Sequence, residues 1–98
     1  MIYRLFVPTT FEDNDAVRVL EWHGAPGDSF AVDDLIVEVE THKALVEIRA
    51  GQAGTLRERC FAEGEWCPLG GVLALFGDTA DEPVGDDGRP LDVEFRIG

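Results

Sequence analysis

The chain has 98 residues, 45% of them apolar, and a formal net charge of −12. That length holds one domain with a modest core, and the apolar share is that of a globular chain rather than a disordered one. The acidic balance excludes a nucleic-acid binder or a reader of anionic membrane surfaces, since both must present clustered lysine and arginine.

No apolar stretch approaches a bilayer span, and Met1-Ile2-Tyr3-Arg4 opens no signal-peptide core. A soluble cytoplasmic protein is expected. The surplus of carboxylates keeps a small protein in solution and favours an encounter with a basic patch on a partner.

In chain order, the first clear strand is Val17 to Trp22, followed by a turn at Gly27. A buried strand comes next, Leu35-Ile36-Val37-Glu38-Val39, then the polar run Glu40-Thr41-His42-Lys43-Ala44, then Leu45-Val46-Glu47-Ile48. Two strands around a short polar run predict a hairpin, built on four or five residues around a type I turn. The next strand is Thr55 to Phe61, with a turn at Gly64 and a buried strand at Val72 to Phe76. By composition Thr55 to Glu63 also fits a helix. Its repeat partner, Arg18 to Pro26, carries Gly24 and Pro26, which excludes that reading.

The two halves repeat. Residues 16–40 slide onto 53–77 without a gap, at an offset of 37. Ala16 meets Ala53, Glu21 meets Glu58, Gly27 meets Gly64, Val19 meets Leu56 and Val39 meets Phe76. Two similar β-units closing on each other as packed sheets leave no long exposed edge. After Gly77 comes an acidic loop, Asp78 to Gly88. Then Leu91 to Ile97 alternates apolar with polar, the period of a half-buried strand. Leu91, Val93, Phe95 and Ile97 should share one face and cover themselves against the first or last strand of the barrel, although pairing with a second copy would also cover them.

Lys43 is the only lysine; the other seven basic residues are arginines. One primary amine at a hairpin tip suits a chain acylated at one place, because a guanidinium stays protonated and is a poor acyl acceptor. Cys60 and Cys67 show no metal-binding spacing, so no metal site is expected; nor do His23 and Cys60 make a persuasive nucleophilic pair. The cysteines are expected opposite each other across a hairpin centred on Glu63-Gly64, unbonded in a reducing compartment.

Glu40-Thr41-His42-Lys43-Ala44 between two strands resembles the lipoylation hairpin of lipoyl domains, the carrier modules of 2-oxo acid dehydrogenase complexes. The resemblance runs from about Tyr3 to Gly77. It takes in Phe6-Val7-Pro8, Glu21-Trp22, Gly27-Asp28, Gly54, Glu63-Gly64-Glu65 and Gly71-Val72-Leu73-Ala74. It implies an all-β fold, a flattened β-barrel (barrel-sandwich hybrid) of two four-stranded antiparallel sheets with approximate two-fold symmetry. It further implies lipoic acid joined covalently to Lys43, recognition through Glu40, Thr41, His42 and Ala44, and no catalytic residue. The implied partners are a lipoate ligase or lipoyl transferase, and 2-oxo acid dehydrogenase and dihydrolipoyl dehydrogenase components.

Two positions depart from the family pattern. His42 stands where an Asp is most common, and Asp33-Asp34 stands where a glycine often precedes the hairpin strand. Biotin carrier domains share the fold, but their lysine is typically flanked by methionines, and the only methionine here is Met1. The other rival is an unmodified interaction module, which would need no lone hairpin lysine. The expected organisation is a lipoyl unit over 1–77, an acidic loop over 78–90 and an added strand over 91–98. The initial Met and the strand-like ending suggest a free-standing protein.

Overall fold

Alternating burial makes the strands. In Leu45–Ala50 the odd positions face out while Val46, Ile48 and Ala50 are buried, the pattern of a strand with one wet face. The computed structural model describes residues 1–9, 15–81, 83 and 88–97. Ten strands lie in these residues, with no helix among them: β1 Ile2–Phe6, β2 Ala16–Trp22, β3 Ser29–Phe30, β4 Leu35–Glu40, β5 Leu45–Ala50, β6 Gly54–Arg59, β7 Trp66–Pro68, β8 Val72–Gly77, β9 Arg89–Pro90 and β10 Val93–Ile97. They form two five-stranded sheets, ordered β3-β6-β8-β1-β9 and β10-β5-β4-β2-β7. Leu5, Leu56, Leu73 and Phe76 of the first sheet meet Val17, Val19, Ile36, Val39 and Ile48 of the second in one core. The barrel-sandwich fold is as expected. Each sheet has five strands rather than four because the C-terminal segment adds one to each, and the β1–β9 pair is parallel.

The sequence offset is also the structural one. In β2–β4, Arg18 faces Glu40, Val19 faces Val39, Glu21 faces Glu38 and Trp22 faces Val37. Adding 37 to each number gives the β6–β8 ladder: Thr55 with Gly77, Leu56 with Phe76, Glu58 with Leu75 and Arg59 with Ala74. Both ladders shift register at the same place, after Val19 and after Leu56, so the bulge is repeated as well. Gly27 and Gly64 have φ of 100° and 91°, and Asp33 and Gly70 have φ of 78° and 80°. Asp33 is the described non-glycine residue in the left-handed region, which Asp tolerates better than most.

One expectation fails here. β6 pairs with β3 and β8, whereas β7 pairs with β2 in the other sheet. Cys60 and Cys67 are therefore not opposite residues of a hairpin: the chain crosses between sheets around Gly64, as it does around Gly27. Equal spacing from a midpoint holds only when both arms stay in one sheet. Cys60, just after β6, is exposed, while Cys67 faces Val17 and is buried; both are free thiols.

Burial pushes the Cys67 thiol up from 9.0 to about 11, with Cys60 adding to the rise. The unfolded thiol ionises first as pH climbs, so the unfolded state then binds fewer protons and stability falls. We expect the midpoint of urea unfolding to drop between about pH 9 and pH 11 in the wild type, and to drop less in Cys67→Ala. Equal slopes in the two proteins would remove Cys67 as the cause.

The C-terminal segment ties the two sheets together. Arg89 and Pro90 lie beside Tyr3 and Arg4, and Leu91 N–H donates to the Arg4 carbonyl at 2.8 Å. The chain then crosses over: Gly51 N–H donates to the Asp92 carbonyl at 2.8 Å, and a Cβ at Gly51 would lie 2.9 Å from that same oxygen. β10 finally pairs with β5 from Val93 opposite Ala50 to Ile97 opposite Val46. The expected strand is present, but its neighbour is the second hairpin strand rather than the first or last strand of the barrel. Leu91 is buried, and Val93 and Phe95 pack against the core. Ile97, at the hairpin end of this edge strand, remains 75% exposed.

Candidate functional site

Lys43 lies between β4 and β5, whose last ladder pair is Glu40 with Leu45. The four residues between them are closed by Thr41. Its N–H donates to the Ala44 carbonyl at 2.9 Å. Its Oγ1 accepts from the N–H of Lys43 at 3.3 Å and of Ala44 at 3.2 Å. A hydroxyl that takes two backbone donors pins the turn from inside, as short polar side chains do at turns. Thr41 and Ala44 are half-buried, while His42 and Lys43 are exposed at the tip. The tip thus presents two side chains to solvent, one of them the sole lysine.

Around the tip, Glu40 is held by Arg18 at 3.2 Å across β2 and β4. Arg18 in turn faces Trp66 of β7. The Trp66 indole is 50% exposed and lies beside His42, ring centroids 6.4 Å apart and tilted by 35°. The row Trp66, Arg18, Glu40, Leu45 therefore crosses four strands at the hairpin end of the outer face.

Glu40, Thr41, His42, Lys43 and Ala44 come together because they are neighbours in the chain. Arg18 and Trp66 were missed. Both arrive through pairings between distant strands, and the only sequence signal was an unexplained tryptophan in a polar turn-rich stretch. No hydrogen bond or ion pair joins His23 to Cys60: the His23 ring instead lies against Glu38 and Glu21.

The turn equivalent to the lysine hairpin falls at the chain terminus. β5 corresponds to β1, because Ala50 and Val7 make matching bonds to the Asp33-Asp34 and Gly70-Gly71 turns. There Met1 bridges its amino group to Asp78 at 3.1 Å. The two-fold symmetry serves the fold, and only one half carries a closed hairpin with a lysine.

The sequence profile of the family described as "Biotin-requiring enzyme", the biotin and lipoyl attachment family, matches residues 5–76. The dihydrolipoyllysine-residue acetyltransferase component of the pyruvate dehydrogenase complex of Corynebacterium glutamicum is 30% identical, over 86% of this chain and 12% of that protein. The dihydrolipoyllysine-residue succinyltransferase component of the 2-oxoglutarate dehydrogenase complex of Staphylococcus saprophyticus is 35% identical, over 90% of this chain and 22% of that protein. The chain thus spans less than a quarter of the length of these relatives. Among solved structures, the lipoyl domain of the 2-oxoglutarate dehydrogenase complex of Azotobacter vinelandii aligns with a TM-score of 0.69 at 30% identity, covering 79% of this chain and 98% of that one.

Proposed function

Because this chain belongs to the biotin and lipoyl attachment family, we propose that it is a lipoyl carrier domain with Lys43 as its attachment residue. The observation that carries the reading is the sole lysine at the tip of the β4–β5 hairpin, in a turn closed by Thr41. The names of the relatives point to lipoate rather than biotin. The carrier unit is residues 1–77, with β10 (Val93–Ile97) an added strand.

The chain's own part is mechanical. The Lys43 amine, after giving up a proton, would attack the carboxyl of lipoate activated by ATP as its adenylate; the amide forms as the carboxyl–phosphate bond breaks and AMP leaves, and the side chain no longer carries a positive charge. Held on Lys43, lipoate would supply a disulfide for the acyl-transfer chemistry of the partner enzymes. The hairpin holds the arm away from both sheets, and tethering raises the concentration of the reactive group at each enzyme visited. Partners of this kind are a lipoate ligase or lipoyl transferase, a 2-oxo acid dehydrogenase and a dihydrolipoyl dehydrogenase, in the cytoplasm. No group in the domain makes or breaks the substrate's bonds. Intact mass after incubation with lipoate, ATP and a lipoate ligase tests the reading. One lipoyl adduct is expected; none, where a control lipoyl domain is modified, overturns it.

His42 and Trp66 form the face a partner meets beside the arm, together with Glu40, Thr41 and Ala44. An exposed aromatic next to a recognition tip is a typical source of binding energy. Trp66→Ala should lower kcat/KM for acylation of the arm by the cognate dehydrogenase about tenfold, near 1.4 kcal/mol. His42→Asp should alter the same constant while changing stability by less than about 0.5 kcal/mol, as for a surface site. Unchanged kcat/KM in both variants would show that this face is not read.

A further inference from the structure

On the outer face of the second sheet, one row places Glu21 of β2, Glu38 of β4, Glu47 of β5 and Arg96 of β10 side by side. Three carboxylates on adjacent strands repel one another unless something positive lies among them. Glu47 is bound by Arg49 at 3.1 Å. In the neighbouring row Glu40 is bound by Arg18. Among the described residues, Glu21 and Glu38 have no arginine or lysine partner; His23 alone joins them. Its Nε2 is 3.1 Å from Glu38 Oε1 and 3.8 Å from Glu21 Oε2. One donor atom from each of the three residues lies within 4.8 Å of the other two.

From this geometry we propose a binding site for a divalent first-row transition cation of the zinc type, formed by Glu21, His23 and Glu38. Glu21 lies in β2, His23 is the residue just past its end, and Glu38 is directly opposite Glu21, so the three side chains come together beside the β2–β4 pair. Zinc bonds to nitrogen and oxygen of about 2.0–2.2 Å place donor atoms roughly 3.3 Å apart in a tetrahedral site. The separations of 3.1 and 3.8 Å bracket that value. Water completes the coordination, since the face is open to solvent. The imidazole selects a zinc-type ion over magnesium, which prefers an all-oxygen shell. The linear sequence hid the site because Glu38 is fifteen residues from His23. The cation would pin β2 to β4, the strand that leads into the Lys43 turn. The proposal does not depend on Lys43 being modified.

The chain has two histidines, so their ring signals report the site directly by NMR. Zn2+ titrated into the tag-free full chain should shift the His23 ring signals to saturation near one equivalent and leave those of His42 in place. His23→Gln and Glu38→Gln should each weaken binding at least about tenfold, since even an outer partner of a ligand is worth that much. Glu47→Gln, whose carboxylate is held by Arg49, should bind as the wild type does. Binding that survives His23→Gln undiminished would overturn the site, as would equal response of His42 or no saturation at millimolar Zn2+. The amide spectra of the variants show that each is folded before it is titrated.

Discussion

Replacing Lys43 by arginine should abolish lipoylation completely and leave the fold intact. The amide bond needs an amine that can lose its proton, and a guanidinium does not. Lys43 is exposed, and arginine keeps the charge, so stability should change by less than about 0.5 kcal/mol. The only other amine in the chain is the N-terminus, which bridges Asp78 at the site equivalent to the hairpin. Peptide mapping of the modified wild type should therefore find one adduct, on the peptide that contains Lys43. An adduct on Met1, or one that persists in Lys43→Arg, would sink the assignment; a biotin adduct in place of lipoyl would redirect it.

Truncating Leu91 to alanine should destabilise the domain by about 2–5 kcal/mol, the range for a buried leucine. Leu91 is 6% exposed and belongs to the core cluster, although it follows a stretch that resembles no part of the family pattern. It lies where the C-terminal segment passes from β1 to β5, so its loss leaves a cavity at the seam between the sheets. For a domain of this size each kcal/mol is worth about 4–8 °C, and a fall in Tm of at least roughly 8 °C is expected. Amide exchange gives a second reading: Arg96, which pairs with Glu47, should be protected to a degree comparable with it. A Tm change below about 2 °C would mean that residues beyond Gly77 decorate the barrel without stabilising it.

The hairpin around Lys43 was readable from a few consecutive residues. Alternation marks β4 and β5, a polar run marks the turn, and Thr41 closes it from within the same five residues. Asp33 shows how far local chemistry reaches. The repeat aligned it with Gly70, and its φ of 78° beside the glycine's 80° shows an aspartate in a glycine conformation. The C-terminal strand was legible as a strand, but its neighbour was not. An amphipathic strand can pair with any free edge of suitable length, and nothing in Leu91 to Ile97 names β5 as the one it takes.

The sequence by itself determined the two-unit plan: strands from apolar–polar alternation, turns from Gly27 and Gly64, and a shared register from the offset of 37. These signals span a few residues each, and the repeat carries them from one half to the other. Tertiary structure alone decided which sheet each strand joins. β3 pairs with the second unit's β6, and β7 with the first unit's β2. That exchange undid the expected cysteine hairpin and brought Trp66 against His42. The β2–β4 register set His23 and Glu21 against Glu38. The physical reason is that these contacts form only when two half-buried units close over a common core. Which side chains then meet on the outer face depends on cross-strand register and bulges, neither of which leaves a periodic mark in the chain.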